Sequence, residues 1–450
     1  MDRPEIPAST HMNFTSPEML TISGLLYVCL LFFIAWRGDQ PRPIGRFARS
    51  SLIYSLSLAV YCSSWTFFGA VGTASSRGWD FFAIYLGPIL LFLLGYRMIQ
   101  RIILISKQQN ITSVSDFISS RYGKSRQIAV LVTSIAVLGS LPYISLQLQA
   151  ISMAFHTITS ESLTGYGGSE KHLLFDTAFY SAIILGAFTI LFGTRHLNAT
   201  EHHRGMIQAV AFESVVKLLA ILLVGIFSVS LLLNEGAPGN IGWLDLRSPA
   251  QDVRSDHSTL DFLTRMLLSM GAILFLPRQF QVTVVEADSH LQVRNARWAL
   301  PAYLILISIA VVPIAIAGNH LLPGGSNADL FVLNLPHNYG SNWLVTLAFI
   351  GGISAATGMV IVAAISLSTM VCNDIVMPIL ISMRRLSILQ RPNLSLIILT
   401  IRRIAIILIM LLSYGYYRLS DTNQALANIG LVSFAAIMQF VPAALAGLYW

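Results

Sequence analysis

Long apolar stretches separated by short polar segments fill the chain from Met19 to Trp450. Each stretch holds enough residues to cross about 30 Å of hydrocarbon as a helix that rises about 1.5 Å per residue. The pattern predicts an all-α polytopic membrane protein with eleven transmembrane helices. The predicted spans are 19–36, 51–73, 80–105, 127–158, 173–192, 205–233, 261–285, 299–318, 343–371, 396–416 and 424–450.

Lysine and arginine are concentrated in alternate loops between these spans. Five loops hold 18 of them and the other five hold 4. The basic loops are 37–50, 101–126, 194–206, 286–297 and 381–403. Because basic residues stay on the cytoplasmic side, this alternation predicts an N-terminus outside the cell and a cytoplasmic C-terminus.

Composition excludes a soluble protein. The chain is 55% hydrophobic and 11% charged, with a mean hydropathy of +0.68. Its net charge of +7 lies in short loops, so it reports membrane orientation and not nucleic-acid binding. Cys29, Cys62 and Cys372 fall in apolar segments and are expected to be free thiols, and no cofactor, metal or catalytic motif is present.

Two apolar segments carry signals for a broken helix. The first, 59–72 (AVYCSSWTFFGAVG), has small and hydroxyl residues where a plain membrane helix would carry Leu and Val. The second, 275–281 (FLPRQFQ), contains Pro277, which removes a backbone donor and clashes with the preceding turn. Two interrupted helices in corresponding positions are the sequence pointer to a transporter built from inverted repeats.

The eleven spans therefore divide into one extra helix (19–36) and two five-helix repeats, 51–234 and 261–450, in a LeuT-type 5+5 arrangement. Residues 1–18 form a tail, and the His-Met ending of residues 1–12 is typical of a cloning remnant.

Several segments resemble the sodium/solute symporter family. They are 111–123 (ITSVSDFISSRYG), 277–298 (PRQFQVTVVEADSHLQVRNARW) and 439–450 (QFVPAALAGLYW). The resemblance is closest to the membrane module of CbrA-type sensor histidine kinases, through YCSSWTFFGAVG, the segment 198–220 and LPRQFQVTVVEADSH. It implies a bacterial inner-membrane protein that responds to histidine. It also implies further helices beyond Trp450, a cytoplasmic kinase region in cis and a response regulator as partner.

The resemblance also implies an ion site. The carbonyls of the family's first broken helix fall at Ala59 and Cys62 here. The positions on the eighth core helix fall at Ala355, Gly358 and Met359, where the family's two hydroxyls are missing. Ser354 and Thr357 lie nearby as partial replacements. The coupling ion is left open between Na+ and H+.

A proton needs a titratable group inside the membrane. Glu213 and Lys217 lie four residues apart on one helix face and are expected to neutralise each other, either as a proton relay or gate or as a structural ion pair. Arg278, beside the second break, is a candidate gate. His202 and His203 are either pH sensors or solvated loop residues.

For the solute, the resemblance points to hydroxyl and amide side chains around the breaks. These are Ser63, Ser64, Thr66, Tyr143, Gln147, Ser269 and Gln279. The alternative for Tyr143 is a packed aromatic residue, and for the Ser63–Ser64 pair it is close helix packing. Trp65 and Trp79 are expected to be packing or interfacial residues.

Two functions follow from these features. The first is a secondary transporter that moves a small polar solute, such as an amino acid like histidine, across the lipid bilayer. The second is a ligand-sensing input domain of a two-component histidine kinase. A membrane enzyme is disfavoured because no active-site motif is present.

Overall fold

A computed structural model describes residues 17–40, 51–159, 176–194, 203–234, 259–382, 394–420 and 425–449, and this part of the chain is entirely helical. The α-helices are α1 (Pro17–Gly38), α2 (Ser51–Ser57), α3 (Ala70–Arg77), α4 (Ala83–Leu94), α5 (Tyr96–Gln109), α6 (Val114–Arg121), α7 (Arg126–Thr159), α8 (Thr177–Gly193), α9 (Arg204–Asn234), α10 (Thr259–Phe275), α11 (Pro277–Phe280), α12 (Gln292–Leu321), α13 (Phe331–Asn338), α14 (Asn342–Met370), α15 (Met377–Ser382), α16 (Leu394–Leu419), α17 (Leu426–Met438) and α18 (Val441–Tyr449). Three 3-10 turns cover Leu58–Tyr61, Gly78–Phe82 and Ala328–Leu330, and three π-helical segments cover Trp65–Gly69, Gln281–Val285 and Val371–Val376.

Eight helices in the described residues are long and apolar enough to cross a membrane. A ninth crossing is added if the bent pair Thr259–Phe275 and Pro277–Val285 forms one span, and two shorter apolar helices cover Ser51–Tyr61 and Thr177–Leu191. The predicted all-helical, multi-pass class is confirmed. The count of eleven, the 5+5 division and the outside N-terminus stay predictions. Most of the predicted tail, 1–18, and of the segment between the two predicted repeats, 235–260, lies outside the described residues.

Helix α14 lies at the centre of the molecule. It packs against α7, α9 and α16, and almost all of its side chains are buried. Its small residues permit this close packing. A Cβ on Gly351 would lie 2.8 Å from the Phe67 ring, and one on Gly352 would lie 2.4 Å from the Phe68 ring. Phe67 and Phe68, which follow the first break, therefore pack directly against α14.

Both predicted helix interruptions are present. In the first, the 3-10 turn after α2 ends at Tyr61, and Cys62 is extended with φ −77° and ψ 92°. In the second, Leu276 is extended with ψ 133° and the flanking helices differ in direction by 52°. The residue before a proline is biased away from the helical region, which explains why the second break falls at Leu276. Each break is followed within a few residues by a π-helical segment.

The structure corrects the predicted span 80–105. The membrane helix α4 ends at Leu94, and Gly95 starts a separate helix, α5. The buried residues of α5 are Ile99, Ile102, Ile103 and Ser106, which recur at helical spacing. Its other face carries polar and charged groups, which is typical of a helix that lies along a surface and does not cross a membrane.

Two segments predicted as loops also contain helices. Helix α6 lies in the loop 101–126, and Ser113 caps it by accepting a hydrogen bond from the Asp116 backbone N–H at 3.1 Å. Helix α13 lies in the loop 319–340 and packs against α14 and α12.

Candidate functional site

The first helix break exposes backbone carbonyls to a lysine side chain. Lys217 Nζ donates to the carbonyl oxygens of Ala59 at 2.7 Å and of Cys62 at 2.6 Å. Lys217 is 4% exposed and extends from α9. Carbonyl groups freed by an unwound helix need a donor inside a membrane, and an ammonium supplies a strong, charge-assisted one.

Glu213 and Lys217 do not form the structural ion pair that was one of the two alternatives for them. Among the described residues, no ion pair joins the two side chains. Thr357 Oγ1 instead donates to Glu213 Oε1 at 2.5 Å, and a Cβ on Gly358 would lie 2.1 Å from Glu213 Oε2. Lys217 therefore pairs with carbonyl oxygens of the first break, and Glu213 pairs with a hydroxyl of α14.

The hydroxyls expected to replace sodium ligands are directed toward α9. Ser354 Oγ donates to the Glu213 carbonyl oxygen at 2.8 Å, and Thr357 binds the Glu213 carboxylate. Lys217 and Glu213 therefore contact the two halves of the predicted ion site, one on the first broken helix and one on α14. The predicted ion-site residues are Ala59, Cys62, Ala355, Thr357, Gly358 and Met359, and each of them is buried.

A hydrogen-bonded cluster forms where α7 meets the first break. The Tyr143 hydroxyl lies 2.8 Å from Ser63 Oγ. Gln147 Oε1 accepts from the Ser64 backbone N–H at 3.0 Å, and Gln147 Nε2 donates to the Tyr143 carbonyl oxygen at 3.2 Å. Four of the predicted solute-binding residues thus lie together, although they are about 80 positions apart in the sequence.

Two predicted solute residues use their hydroxyls locally. Thr66 Oγ1 donates to the Ser63 carbonyl oxygen at 2.8 Å, and Ser269 Oγ donates to the Met266 carbonyl oxygen at 2.7 Å. Ser269 also lies against Gly87 of α4, where a Cβ would be 2.1 Å from its oxygen. Serine and threonine readily satisfy themselves on the preceding turn of their own helix. The structure does not bring Ser269 into the Tyr143 cluster.

The second break supplies two polar residues to the same region. Gln279 Nε2 donates to the Leu58 carbonyl oxygen at 3.5 Å, which joins the two interrupted helices. The guanidinium carbon of Arg278 lies 4.1 Å from the centre of the Tyr143 ring. Ser366 Oγ of α14 donates to the Pro277 carbonyl oxygen at 3.0 Å and satisfies one carbonyl beside the break.

Aromatic rings enclose the cluster, and the sequence did not reveal how they are arranged. Trp65 lies 4.8 Å from Phe434 between ring centres, and Tyr143 stacks on Phe434 at 6.0 Å. A Cβ on Gly430 would lie 3.0 Å from the Trp65 ring, so this glycine makes room for the indole. Nothing in the apolar run of α17 marks Phe434 before its partners are known. Trp79, in contrast, is 46% exposed.

A second polar group closes the end of the bundle predicted to be cytoplasmic. Ser115 of α6 and Thr133 of α7 both donate to Asp374 Oδ2, Thr133 at 2.7 Å. Burial raises the pKa of the neighbouring Asp116 carboxyl. These contacts join α6, α7 and the π-helical segment Val371–Val376.

His203 is not a solvated loop residue. Its backbone N–H donates to Glu286 Oε1 at 3.0 Å, and its Nδ1 lies 3.3 Å from the same oxygen. This contact ties the start of α9 to the end of the second broken helix. His202 lies outside the described residues.

Comparison with known proteins gives two relatives in sequence and several in structure. No protein-family model matches the chain. The chain is 25% identical over 324 residues, 69% of its length, to the uncharacterized symporter YhjB of Bacillus subtilis (strain 168), and this match spans 60% of that relative. It is 24% identical over 455 residues to the uncharacterized symporter YodF of the same organism, covering 97% of this chain and 84% of that one.

Solved structures share the fold. A Na+-coupled sialic acid symporter in a substrate-bound outward-open state superposes with a TM-score of 0.63 at 13% identity, covering 93% of this chain and 86% of that chain. A manganese transporter from Eremococcus coleocola superposes with a TM-score of 0.51 at 16% identity, covering 91% and 81%. The fold is that of transporters. Together with symporters as relatives in sequence, it supports a secondary transporter.

Proposed function

We propose that this chain is a secondary active transporter that carries a small polar solute, such as an amino acid like histidine, by alternating access around the two interrupted helices. In this proposal the helices begin two five-helix repeats of opposite orientation. Tyr54 before the first break donates to the Thr283 carbonyl oxygen after the second at 2.7 Å, and Gln279 binds Leu58 in the reverse sense. These reciprocal contacts support a pair of broken helices that move as a unit.

The solute binds between these helices and α7. The cluster of Ser63, Ser64, Tyr143 and Gln147 offers hydroxyl and amide groups in a buried setting, beside the aromatic rings of Trp65 and Phe434. Buried polar groups of this kind are costly unless a ligand or a neighbour pairs with them. A site near the middle of broken helices is the usual arrangement in transporters of this architecture.

The coupled ion in this proposal is a proton, and the position of Lys217 Nζ carries the argument. An ammonium 2.6 to 2.7 Å from the Ala59 and Cys62 carbonyl oxygens uses the oxygens that a sodium ion would need. Two cations do not share that pair of carbonyls, because like charges so close together repel strongly in a medium of low dielectric constant. The lysine supplies the positive charge that sodium supplies in other members of the implied family.

Loss of a proton from Lys217 would change the contacts of the first break. A neutral amine forms weaker hydrogen bonds to carbonyls than an ammonium does. The 3-10 turn Leu58–Tyr61 would then be held less firmly against α9, and the broken helix could move. Glu213, one turn away on α9, is the nearest carboxylate along the helix and serves as the proton acceptor. In this way proton release and conformational change are coupled.

The experiment that tests this function is uptake of labelled histidine into proteoliposomes with sodium and proton gradients imposed separately. The proposal expects accumulation with a proton gradient in sodium-free buffer and no further gain from a sodium gradient. Accumulation driven by sodium alone would contradict proton coupling. Saturable binding without uptake under either gradient would contradict transport and favour the sensory input domain.

A further inference from the structure

The geometry points to an anion-binding position at Arg278, and we propose that the transported solute carries a carboxylate that pairs with this guanidinium. The inference rests on the proposed transporter function and adds the chemical class of its substrate. It also changes the expected role of Arg278 from a gate to a ligand.

Arg278 is a buried cation without a counter-charge. Its side chain is 2% exposed, and its Nε and Nη2 atoms have no hydrogen-bond partner among the described residues. No carboxylate in that part of the chain forms an ion pair with it. A buried charge left unpaired is strongly unfavourable, and proteins keep one where a ligand completes the pair.

The unpaired atoms form one recognition edge. The Nε and Nη2 donors lie on the same side of the planar guanidinium, which matches the two oxygens of a carboxylate. The face of the group is already occupied by the Tyr143 ring, with the guanidinium carbon 4.1 Å from the ring centre. This stacking restricts the plane of the guanidinium, while the Nε and Nη2 donors on its edge have no hydrogen-bond partner among the described residues.

The charges at the centre of the bundle do not balance. Lys217 and Arg278 are both buried cations, and Glu213 is the acidic residue that accompanies them. Like-charged groups in a medium of low dielectric constant repel strongly. A solute carboxylate placed against Arg278 pairs with one of these cations, whereas a solute without a carboxylate leaves both unpaired.

If Arg278 formed a gate, a carboxylate would have to face it across the solute pathway of the proposed transporter. The buried acids of the described residues have other partners: Asp176 binds Tyr414, Glu213 binds Thr357, Glu286 binds His203, and Asp329 binds the Leu426 backbone N–H. Among the described residues, no carboxylate pairs with the Arg278 guanidinium. This favours a ligand as its partner.

Three further unpaired atoms of the protein indicate which other polar groups the solute carries. Gln279 Oε1, Ser64 Oγ and Trp65 Nε1 are buried and have no hydrogen-bond partner in the described residues. Gln279 Oε1 accepts only, so it suits a donor such as an ammonium or a hydroxyl on the solute. The chemical class that fits is a small monocarboxylate with a neighbouring amino or hydroxyl group, and α-amino acids and α-hydroxy acids meet this description.

The test compares acids with their amides, in which an uncharged carboxamide replaces the carboxylate, on the purified full chain in detergent. The probes are L-histidine and L-histidinamide, L-proline and L-prolinamide, and L-lactate and L-lactamide. The measurement is the ligand-induced shift in unfolding temperature, titrated to give a dissociation constant. It is made on the wild type, on Arg278→Gln, on Arg278→Lys, and on Arg294→Gln as a matched control, because Arg294 is an exposed arginine of α12.

At least one acid is expected to stabilise the wild type and Arg294→Gln while its amide does not. Arg278→Gln should raise the dissociation constant of that acid by about 10- to 100-fold, and Arg278→Lys should raise it less, because the charge remains and the fork is lost. Equal stabilisation by acid and amide overturns the proposal. An unchanged dissociation constant in both Arg278 variants, or no stabilisation by any of the acids, overturns it as well.

Binding in detergent needs no ion gradient, so this result separates the substrate class from transport. Acids that bind as expected but never accumulate in proteoliposomes would refute the transporter and leave the anion site intact. Proteoliposomes that accumulate the amides as readily as the acids would refute the anion site and leave the transporter intact.

Discussion

At the scale of single residues, long-range contacts decide what each polar group does. Sequence spacing placed Glu213 and Lys217 on one face of α9, but it did not reveal that each side chain binds a different helix. Lys217 lies 158 positions from Ala59 along the chain, and no local pattern indicates such a contact. Ser269 was chosen for its hydroxyl, yet that hydroxyl is satisfied three residues back on its own helix.

Gly72 gives a residue-scale prediction. A Cβ there would lie 2.9 Å from Asp329 Cγ and 3.1 Å from the Asp329 backbone nitrogen, so Gly72→Ala must displace the segment Ala328–Leu330. Asp329 Oδ2 accepts from the Leu426 backbone N–H at 3.1 Å, and burial raises the pKa of this carboxyl. We expect Gly72→Ala to lower the free energy of unfolding by about 1 to 3 kcal/mol.

The measurement is thermal unfolding of the purified chain, with Gly324→Ala as the control. A Cβ on Gly324 would meet nothing within 4 Å. Equal unfolding temperatures for the two variants would show that the contact between Gly72 and Asp329 does not constrain the fold.

At the scale of helices, the sequence predicted positions well where chemistry forces a local conformation. Pro277 and the small residues around Ser63 predicted both interruptions, because a missing donor and weak helix formers act locally. The turn at Gly95 was missed, since apolar residues continue on one face of α5 and conceal the change of direction. Short helices such as α6 and α13 were not predicted, because segments of eight residues lack the long apolar run that marks a membrane span.

The second break gives a prediction at this scale. Replacing Pro277 with alanine restores a backbone donor and releases Leu276 to become helical, so the straight helix gains stability. A shift of about 1.4 kcal/mol toward that form would lower the ratio of broken to straight helix roughly tenfold, and the uptake rate should fall with the population of the broken helix. The unfolding temperature should not fall.

Uptake by proteoliposomes provides the measurement for Pro277→Ala. The control is Pro313→Ala, because Pro313 lies inside the continuous helix α12. A normal uptake rate in Pro277→Ala would mean that the break does not depend on its proline. An equal loss in both variants would assign the effect to prolines in general.

At the scale of the whole molecule, the proposed transport cycle depends on two helix breaks, one lysine and one arginine. The broken helices contact each other through Tyr54 and Gln279, Lys217 of α9 binds the first break, and Glu213 of α9 binds Thr357 of α14. Hydropathy and loop charge predicted a multi-pass helical protein because those signals are sums over many residues. They did not predict the charge balance of the core, which depends on where a few buried side chains point.

The most direct test of this account measures proton movement during uptake. Proteoliposomes containing the full chain enclose a pH-sensitive dye in sodium-free buffer. Solute is added outside, and no ion gradient is imposed. The account predicts that the wild type acidifies the interior on solute addition. Lys217→Met should lose this acidification while retaining insertion and folding, and Lys124→Met, which changes an exposed lysine, should behave as the wild type. Unchanged acidification in Lys217→Met would contradict the account.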